Sequence, residues 1–235
     1  MASTGIIGRQ LPVEKMLESH ARLRENLSQQ NGHLLAKAIM TTDTVPKEAA
    51  VSFNCGDREF RIAGVAKGSG MIAPRMATLL SFIITDMPVA RKDLDIIFRQ
   101  AVKSTLNSIT IDGDTSTNDT AIILSPVSDS YISNSESLAS FEEALKAVLY
   151  RLAEMLVEDG EGATKSVRIN VINAATDDDA ALIARSVAQS LLVKTAIFGN
   201  DPNWGRIACA AGYSGAELKE EKLSIFIENR ALLKN

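Results

Sequence analysis

One long apolar stripe constrains the fold more than any other feature of this sequence. Over residues 137–157, large apolar side chains recur every three or four positions, which is the spacing of one face of an α-helix. The stripe consists of Leu138, Phe141, Leu145, Val148, Leu149, Leu152 and Leu156. An apolar face of this length needs a second layer to cover it, and short apolar runs predict strands at residues 49–53, 59–65, 78–85 and 120–124. The sequence therefore predicts an α/β or α+β fold in which helices cover sheet faces.

The rest of the chain continues this mixture of helices and strands. Amphipathic spacing predicts helices at residues 13–29, 91–107, 177–191 and 204–211. Alternating or short apolar runs predict strands at residues 165–172, 193–198 and 223–227. No repeat and no low-complexity linker divides the chain, so residues 1–235 are predicted to form a single domain.

Composition and charge exclude several classes of protein. The 25 basic and 29 acidic residues give a net charge of −4, which argues against nucleic acid or an anionic membrane as a partner. The N-terminus has no secretory pattern, and the apolar runs are too short to span a bilayer. With two cysteines (Cys55 and Cys209) and two histidines (His20 and His33), a disulfide framework, a zinc site or a His-based triad is disfavoured. A cytoplasmic protein without a metal or cofactor is predicted.

The segment 67–78 bears most directly on function. It places a Gly-rich bend and Pro74 ahead of Ala77 and Thr78, between two apolar runs. A hydroxyl beside a strained peptide carbonyl can attack it, form an ester, and release a new amino terminus on hydrolysis. The freed α-amine has a pKa of about 7.7–8.0, so Thr78 would supply both nucleophile and base. The alternative is that Thr78 is an ordinary β-branched strand residue.

Other polar positions also have two interpretations. Lys67 is either a surface lysine or a fixed charge for a substrate carboxylate, and Glu161, between two glycines, is either solvated or presented to an ammonium group. The polar loop 112–119 either bonds its own backbone or forms an active-site wall. It lacks the Gly and Glu of an EF-hand, and residues 68–74 match neither a dinucleotide fingerprint nor a P-loop.

Several stretches, in order along the whole chain, together resemble the ornithine acetyltransferase family of arginine biosynthesis, also called glutamate N-acetyltransferase. They are residues 3–8 (Ser-Thr-Gly-Ile-Ile-Gly), 41–43 (Thr-Thr-Asp), 66–74 (Ala-Lys-Gly-Ser-Gly-Met-Ile-Ala-Pro), 76–78 (Met-Ala-Thr), 113–119 (Gly-Asp-Thr-Ser-Thr-Asn-Asp), 160–165 (Gly-Glu-Gly-Ala-Thr-Lys), 194–196 (Lys-Thr-Ala) and 201–207 (Asp-Pro-Asn-Trp-Gly-Arg-Ile). The resemblance implies a self-processing fold of the N-terminal-nucleophile type, with stacked sheets between helices.

The resemblance also implies a reaction. Cleavage between Ala77 and Thr78 would give subunits 1–77 and 78–235, with a heterotetramer as the expected assembly. Thr78 would take acetyl from N²-acetylornithine and pass it to glutamate, and some members of the family also use acetyl-CoA as donor. By motif match, Thr4 and Gly5 would form the oxyanion hole. Thr41, Lys67, Thr78 and Glu161 would form the amino-acid pocket.

The sequence departs from the family pattern at three points. Arg75 stands where the family usually has Asn, and family members extend beyond this chain at both ends, so the chain is expected to be a central portion of the pattern. Two other functions stay open. One is an amidohydrolase or aminopeptidase of similar self-processing type, in which water replaces glutamate as acceptor. The other is a non-catalytic fragment that serves as a scaffold or partner for other chains.

Overall fold

The computed structural model describes residues 2–73 and 79–234, and these form a mixed α/β structure. The helices are α1 (Val13–Glu25), α2 (Gly32–Ala38), α3 (Arg91–Ser104), α4 (Ser135–Glu158), α5 (Asp177–Gln189), α6 (Leu191–Phe198) and α7 (Trp204–Gly212). The strands are β1 (Lys47–Cys55), β2 (Arg58–Lys67), β3 (Leu80–Thr85), β4 (Thr120–Leu124), β5 (Ile225–Ile227) and β6 (Arg230–Leu233). Single 3₁₀ turns lie at Leu106–Ser108 and Glu220–Lys222.

Strands β1 to β4 form one sheet in chain order. The pairs β1–β2 and β2–β3 are antiparallel, and β3–β4 is parallel. Lys67 at the end of β2 is paired with Leu80 at the start of β3, so the segment between them leaves and re-enters the sheet at the same end. This register places the bend that begins at Lys67 at one end of the sheet. Strands β5 and β6 form a separate hairpin.

Helix α4 covers one face of the sheet, as its apolar stripe predicts. Phe141, Leu145, Leu149, Leu152 and Leu156 are all fully buried. They belong to one core cluster with Ile62 and Ile83 of the sheet, and Ala101 of α3 joins the same cluster. Asn134 caps the helix by accepting a hydrogen bond from the Ser137 amide. The predicted packing of helices on a sheet is confirmed.

Helices α5, α6 and α7 form a second, smaller cluster. Its buried members are Val187, Val193, Ala210 and Ala211. Thr176 caps α5 through the Asp179 amide, and Ser190 caps α6 through the Val193 amide. Within residues 2–73 and 79–234, no single helix is long and apolar enough to cross a membrane. Helices α5 and α6 together reach that length and composition but are bent by 59°.

Several element predictions were wrong. Residues 193–198 lie in helix α6, because an apolar run of this length has no periodicity that separates strand from helix, and the Ser190 cap starts a helix there. Residues 165–172 alternate in polarity but are mostly exposed, and no strand is found there. Helices α1 and α3 end at Glu25 and Ser104, earlier than predicted, while helix α2 and strand β6 were not predicted.

Candidate active site

Three segments meet at the end of the sheet where β2 stops. They are the turn 41–44, the bend 67–73, and residues 159–163 after helix α4. Lys67 is almost fully buried, and its Nζ donates a hydrogen bond of 2.8 Å to Thr41 Oγ1. The Thr42 and Ser69 hydroxyl oxygens, which lie 2.6 Å apart, join the same turn and bend. Two residues predicted for the amino-acid pocket are therefore in direct contact.

Burial and neighbouring charges act against each other at Lys67. Burial lowers the pKa of the Lys67 ammonium, the nearby carboxylates of Asp43 and Asp119 raise it, and the like charge of Lys47 lowers it further. The net effect is a lowered pKa. A buried ammonium of this kind suits a ligand carboxylate, because little water competes for the contact.

Glu161 is tied to the same bend through its backbone. Its amide donates to the Ser69 carbonyl oxygen at 2.6 Å. Its carboxylate lies over Gly70, where a Cβ would come within 2.8 Å of Oε2. Gly70 therefore leaves room for this carboxylate beside the segment that begins at Lys67. The structure thus brings Thr41, Lys67 and Glu161 to one place.

The polar loop 112–119 forms hydrogen bonds within itself and to the bend 67–73, and its role as an active-site wall stays a prediction. The Asp112 carboxylate accepts hydrogen bonds from the Met71 amide, from the Ile72 amide at 3.0 Å and from its own loop at Asp114, also at 3.0 Å. The Thr115 hydroxyl donates to the Ala73 carbonyl oxygen at 3.1 Å. The loop bonds its own backbone and also supports the bend that leads towards Thr78.

Asp119 is a perturbed carboxyl at this site that sequence reasoning missed. Both of its carboxylate oxygens are buried, and neither has a hydrogen-bond partner in the described part of the chain. Burial raises the pKa of Asp119 to about 6, although the Leu79 amide and the Lys67 ammonium, which lie near it without completing a hydrogen bond, partly oppose the rise. Because Thr120 donates its amide to the Leu79 carbonyl oxygen at 2.9 Å, Asp119 is held beside the residue that follows Thr78.

A buried ion cluster lies beneath the site. Lys47 is fully buried, and its Nζ is 2.6 Å from both Asp43 Oδ1 and Asp159 Oδ2. The pKa values of both carboxyl groups are lowered: burial alone would raise them, but the Lys47 ammonium and backbone or hydroxyl donors outweigh it. The sequence analysis did not predict a role for these residues. The alternation along β1 could have indicated burial of Lys47, because it places Lys47 on the same face of the strand as Ala49 and Val51.

The remaining predicted site residues are not joined to this cluster. Thr4 is half-buried and Gly5 is exposed, in a segment without regular structure, and no hydrogen bond within the described ranges connects either to Lys67. Ala77 and Thr78 lie outside the described residues. No group of three or more metal-ligating His, Cys, Asp or Glu side chains is found among residues 2–73 and 79–234.

Comparison with known proteins identifies what the chain is similar to. The family model described as the ArgJ family matches residues 1–235. The chain is 51% identical over 233 residues to the glutamate N-acetyltransferase of Methanothermobacter thermautotrophicus, covering 97% of this chain and 56% of that protein. It is 46% identical over 232 residues to the arginine biosynthesis bifunctional protein ArgJ of Caldanaerobacter subterraneus subsp. tengcongensis, covering 97% of this chain and 58% of that protein.

A solved structure agrees with these sequence matches. It is the crystal structure of the arginine biosynthesis bifunctional protein argJ from Bacillus halodurans, with a TM-score of 0.55 and 38% identity. The match covers 61% of this chain and 68% of that one. The chain spans 56% to 58% of the length of the two curated relatives described above.

Proposed function

The chain belongs to the ArgJ family, and from this premise we propose that it transfers acetyl from N²-acetylornithine to glutamate. The observation that carries the proposal is that one bend carries the buried ammonium of Lys67 and, over Gly70, the carboxylate of Glu161. The two amino acids share an α-carboxylate, which suits Lys67. Ornithine also carries a side-chain ammonium, which suits Glu161.

The chemistry passes through Thr78. Its hydroxyl oxygen attacks the acetyl carbonyl of acetylornithine, and the hydroxyl proton passes to the α-amine that self-cleavage at Ala77 has freed. That proton then goes to the leaving nitrogen of ornithine, so the C–N bond breaks and acetyl-Thr78 remains. The glutamate amine attacks this ester, and the proton that it loses returns to the Thr78 oxygen. Thr4 and Gly5 stabilise the oxyanion.

The same proposal includes the subunit assembly, the cellular location and the acetyl donors of the enzyme. Cleavage gives subunits 1–77 and 78–235, which assemble as a heterotetramer in the cytoplasm and work in arginine biosynthesis. Acetyl-CoA serves as a second acetyl donor, and no resident cofactor or metal is required, since Thr78 carries the acetyl group itself. The names of the curated relatives, a glutamate N-acetyltransferase and an arginine biosynthesis bifunctional protein ArgJ, support the acetyltransferase reaction and its place in arginine biosynthesis.

Intact mass spectrometry of the purified protein tests the proposal, with Thr78→Ala and Thr78→Ser as a matched pair. We expect two fragments meeting at Ala77 and Thr78 in the unchanged protein and in Thr78→Ser, but one chain in Thr78→Ala. Incubation with acetylornithine should add one acetyl group to the fragment that begins at residue 78, and glutamate should remove it as acetylglutamate.

The outcomes separate the rival functions. Acetate release without acetylglutamate would indicate that water is the acceptor and that the protein is an amidohydrolase. An uncut, unacetylated chain would support a non-catalytic role. Acetyl transfer that survives in Thr78→Ala would refute the nucleophile assignment.

A further inference from the structure

The buried Lys47 cluster has a geometry that stability alone does not explain. Lys47 and Asp43 side chains are fully buried, and the Asp159 side chain is 6% exposed. Removing such charges from water costs several kcal/mol per ion, and replacing a buried ion pair with apolar side chains is often neutral or stabilising. Stability is therefore a weak explanation for this cluster, and the groups that its carboxylates hold in place are the better guide to its role.

Each carboxylate of the cluster uses its remaining acceptor positions on a loop of the candidate site. Asp43 accepts the Gly68 amide at 2.6 Å and the Thr41 amide at 3.1 Å. Asp159 accepts the Thr44 amide at 2.9 Å and also the Thr44 hydroxyl. One ammonium group thereby holds the turn that carries Thr41 against the bend that begins at Lys67.

The third segment is reached through helix α4. Asp159 is the C-terminal cap residue of that helix, and Glu161 follows it by two residues. The Glu161 amide in turn bonds to the Ser69 carbonyl oxygen, one residue beyond Gly68. The cluster and this bond close a ring of contacts around the three segments, so we expect a shift at Lys47 to affect all of them.

We propose that Lys47, with Asp43 and Asp159, is a positioning residue for the amino-acid site, which sets Thr41, Lys67 and Glu161 relative to one another. This inference rests on the proposed function. Lys47 has no contact with substrate in this role. It acts by joining the two carboxylates, each of which fixes the backbone on which a substrate-binding side chain is carried.

The test compares Lys47→Met, which keeps the length but not the charge, with Lys47→Arg and Asp159→Asn. Lys103→Met is the matched control, because Lys103 forms an exposed pair with Asp178. We expect Lys47→Met to raise KM for both acetylornithine and glutamate by about tenfold to a hundredfold, since small misplacements carry such penalties. kcat should change less, Lys47→Arg should recover part of the loss, and Lys103→Met should behave as the unchanged protein.

Hydrogen exchange makes the test independent of turnover and of whether Lys47→Met folds fully. In Asp159→Asn, exchange at residues 41–44, 68–73 and 159–163 should rise together while helix α3 is unaffected. KM values within twofold of the unchanged protein in a folded Lys47→Met, or a rise confined to one of the three segments, would overturn the positioning role. Absence of turnover in the unchanged protein would instead overturn the proposed function, and the exchange result would still decide the positioning role.

Discussion

Replacement of Asp119 by Asn should stabilise the protein at neutral pH and have little benefit in acid. The carboxyl has a pKa of about 6 in the fold against an ordinary value of 3.8. The folded state therefore binds the proton more tightly than the unfolded state, and stability falls as pH rises from about 4 to above 6. At pH 7.5 the ionised group is held in a site that disfavours its charge, whereas at pH 4 it is protonated in the folded state.

The size of the effect follows from the two pKa values. Their difference corresponds to about 3 kcal/mol of destabilisation at pH 7.5, at 1.36 kcal/mol per pH unit. Both carboxylate oxygens are covered, but the residue as a whole is half-buried and lies near solvent, so partial screening by water reduces this to about 1–2 kcal/mol. Asn removes the charge, and any packing penalty of its amide is the same at both pH values and cancels in the comparison.

Urea unfolding of the unchanged protein, Asp119→Asn and the exposed-loop control Asp129→Asn at pH 4 and pH 7.5 measures this directly. The measured quantity is the free energy of unfolding of Asp119→Asn minus that of the unchanged protein. We expect this difference to be about 1–2 kcal/mol larger at pH 7.5 than at pH 4. The control should show no such increase. A difference that is equal at the two pH values within about 0.5 kcal/mol would refute the perturbed carboxyl.

Two further substitutions test close approaches to glycine. A Cβ at Gly64 would collide with Ile83 Cδ1 and lie 3.1 Å from Leu152 Cδ1. Gly64→Ala should therefore lower the free energy of unfolding, measured by chemical denaturation, by about 1–3 kcal/mol. Adding Ile83→Val to the same chain should restore part of that free energy, because it removes the colliding methyl group. A Cβ at Gly70 would displace only the flexible end of Glu161, so Gly70→Ala should leave the melting temperature unchanged but raise KM for acetylornithine about threefold to tenfold. A large loss of stability in Gly70→Ala, or none in Gly64→Ala, would contradict these contacts.

The candidate site was accessible from the sequence only through motifs. Lys67 and Glu161 each have two interpretations when read singly. The ordered set of stretches along the chain indicated a shared pocket and the ornithine acetyltransferase family. The structure adds the contact between Lys67 and Thr41 and the ring that includes Glu161. The predicted roles of Thr78, Thr4 and Gly5 stay predictions.

The sequence by itself determined the elements whose pattern is local. The stripe on α4, the strands β1 and β2 and the Thr176 cap of α5 depend on side chains within a few residues of one another. Tertiary structure decided the absence of a strand at 165–172, because a strand needs a neighbour to pair with and pattern alone does not supply one.

Tertiary structure also decided the electrostatics of the site. Lys47 meets Asp159 across 112 residues of chain, and the pKa of Asp119 is raised because the fold buries its carboxylate, against the opposing effects of Leu79 and Lys67. No local pattern marks such residues, because a charged side chain has the same propensities whether it will be solvated or buried. The free energy of a buried charge depends on partners that the fold brings from distant parts of the chain.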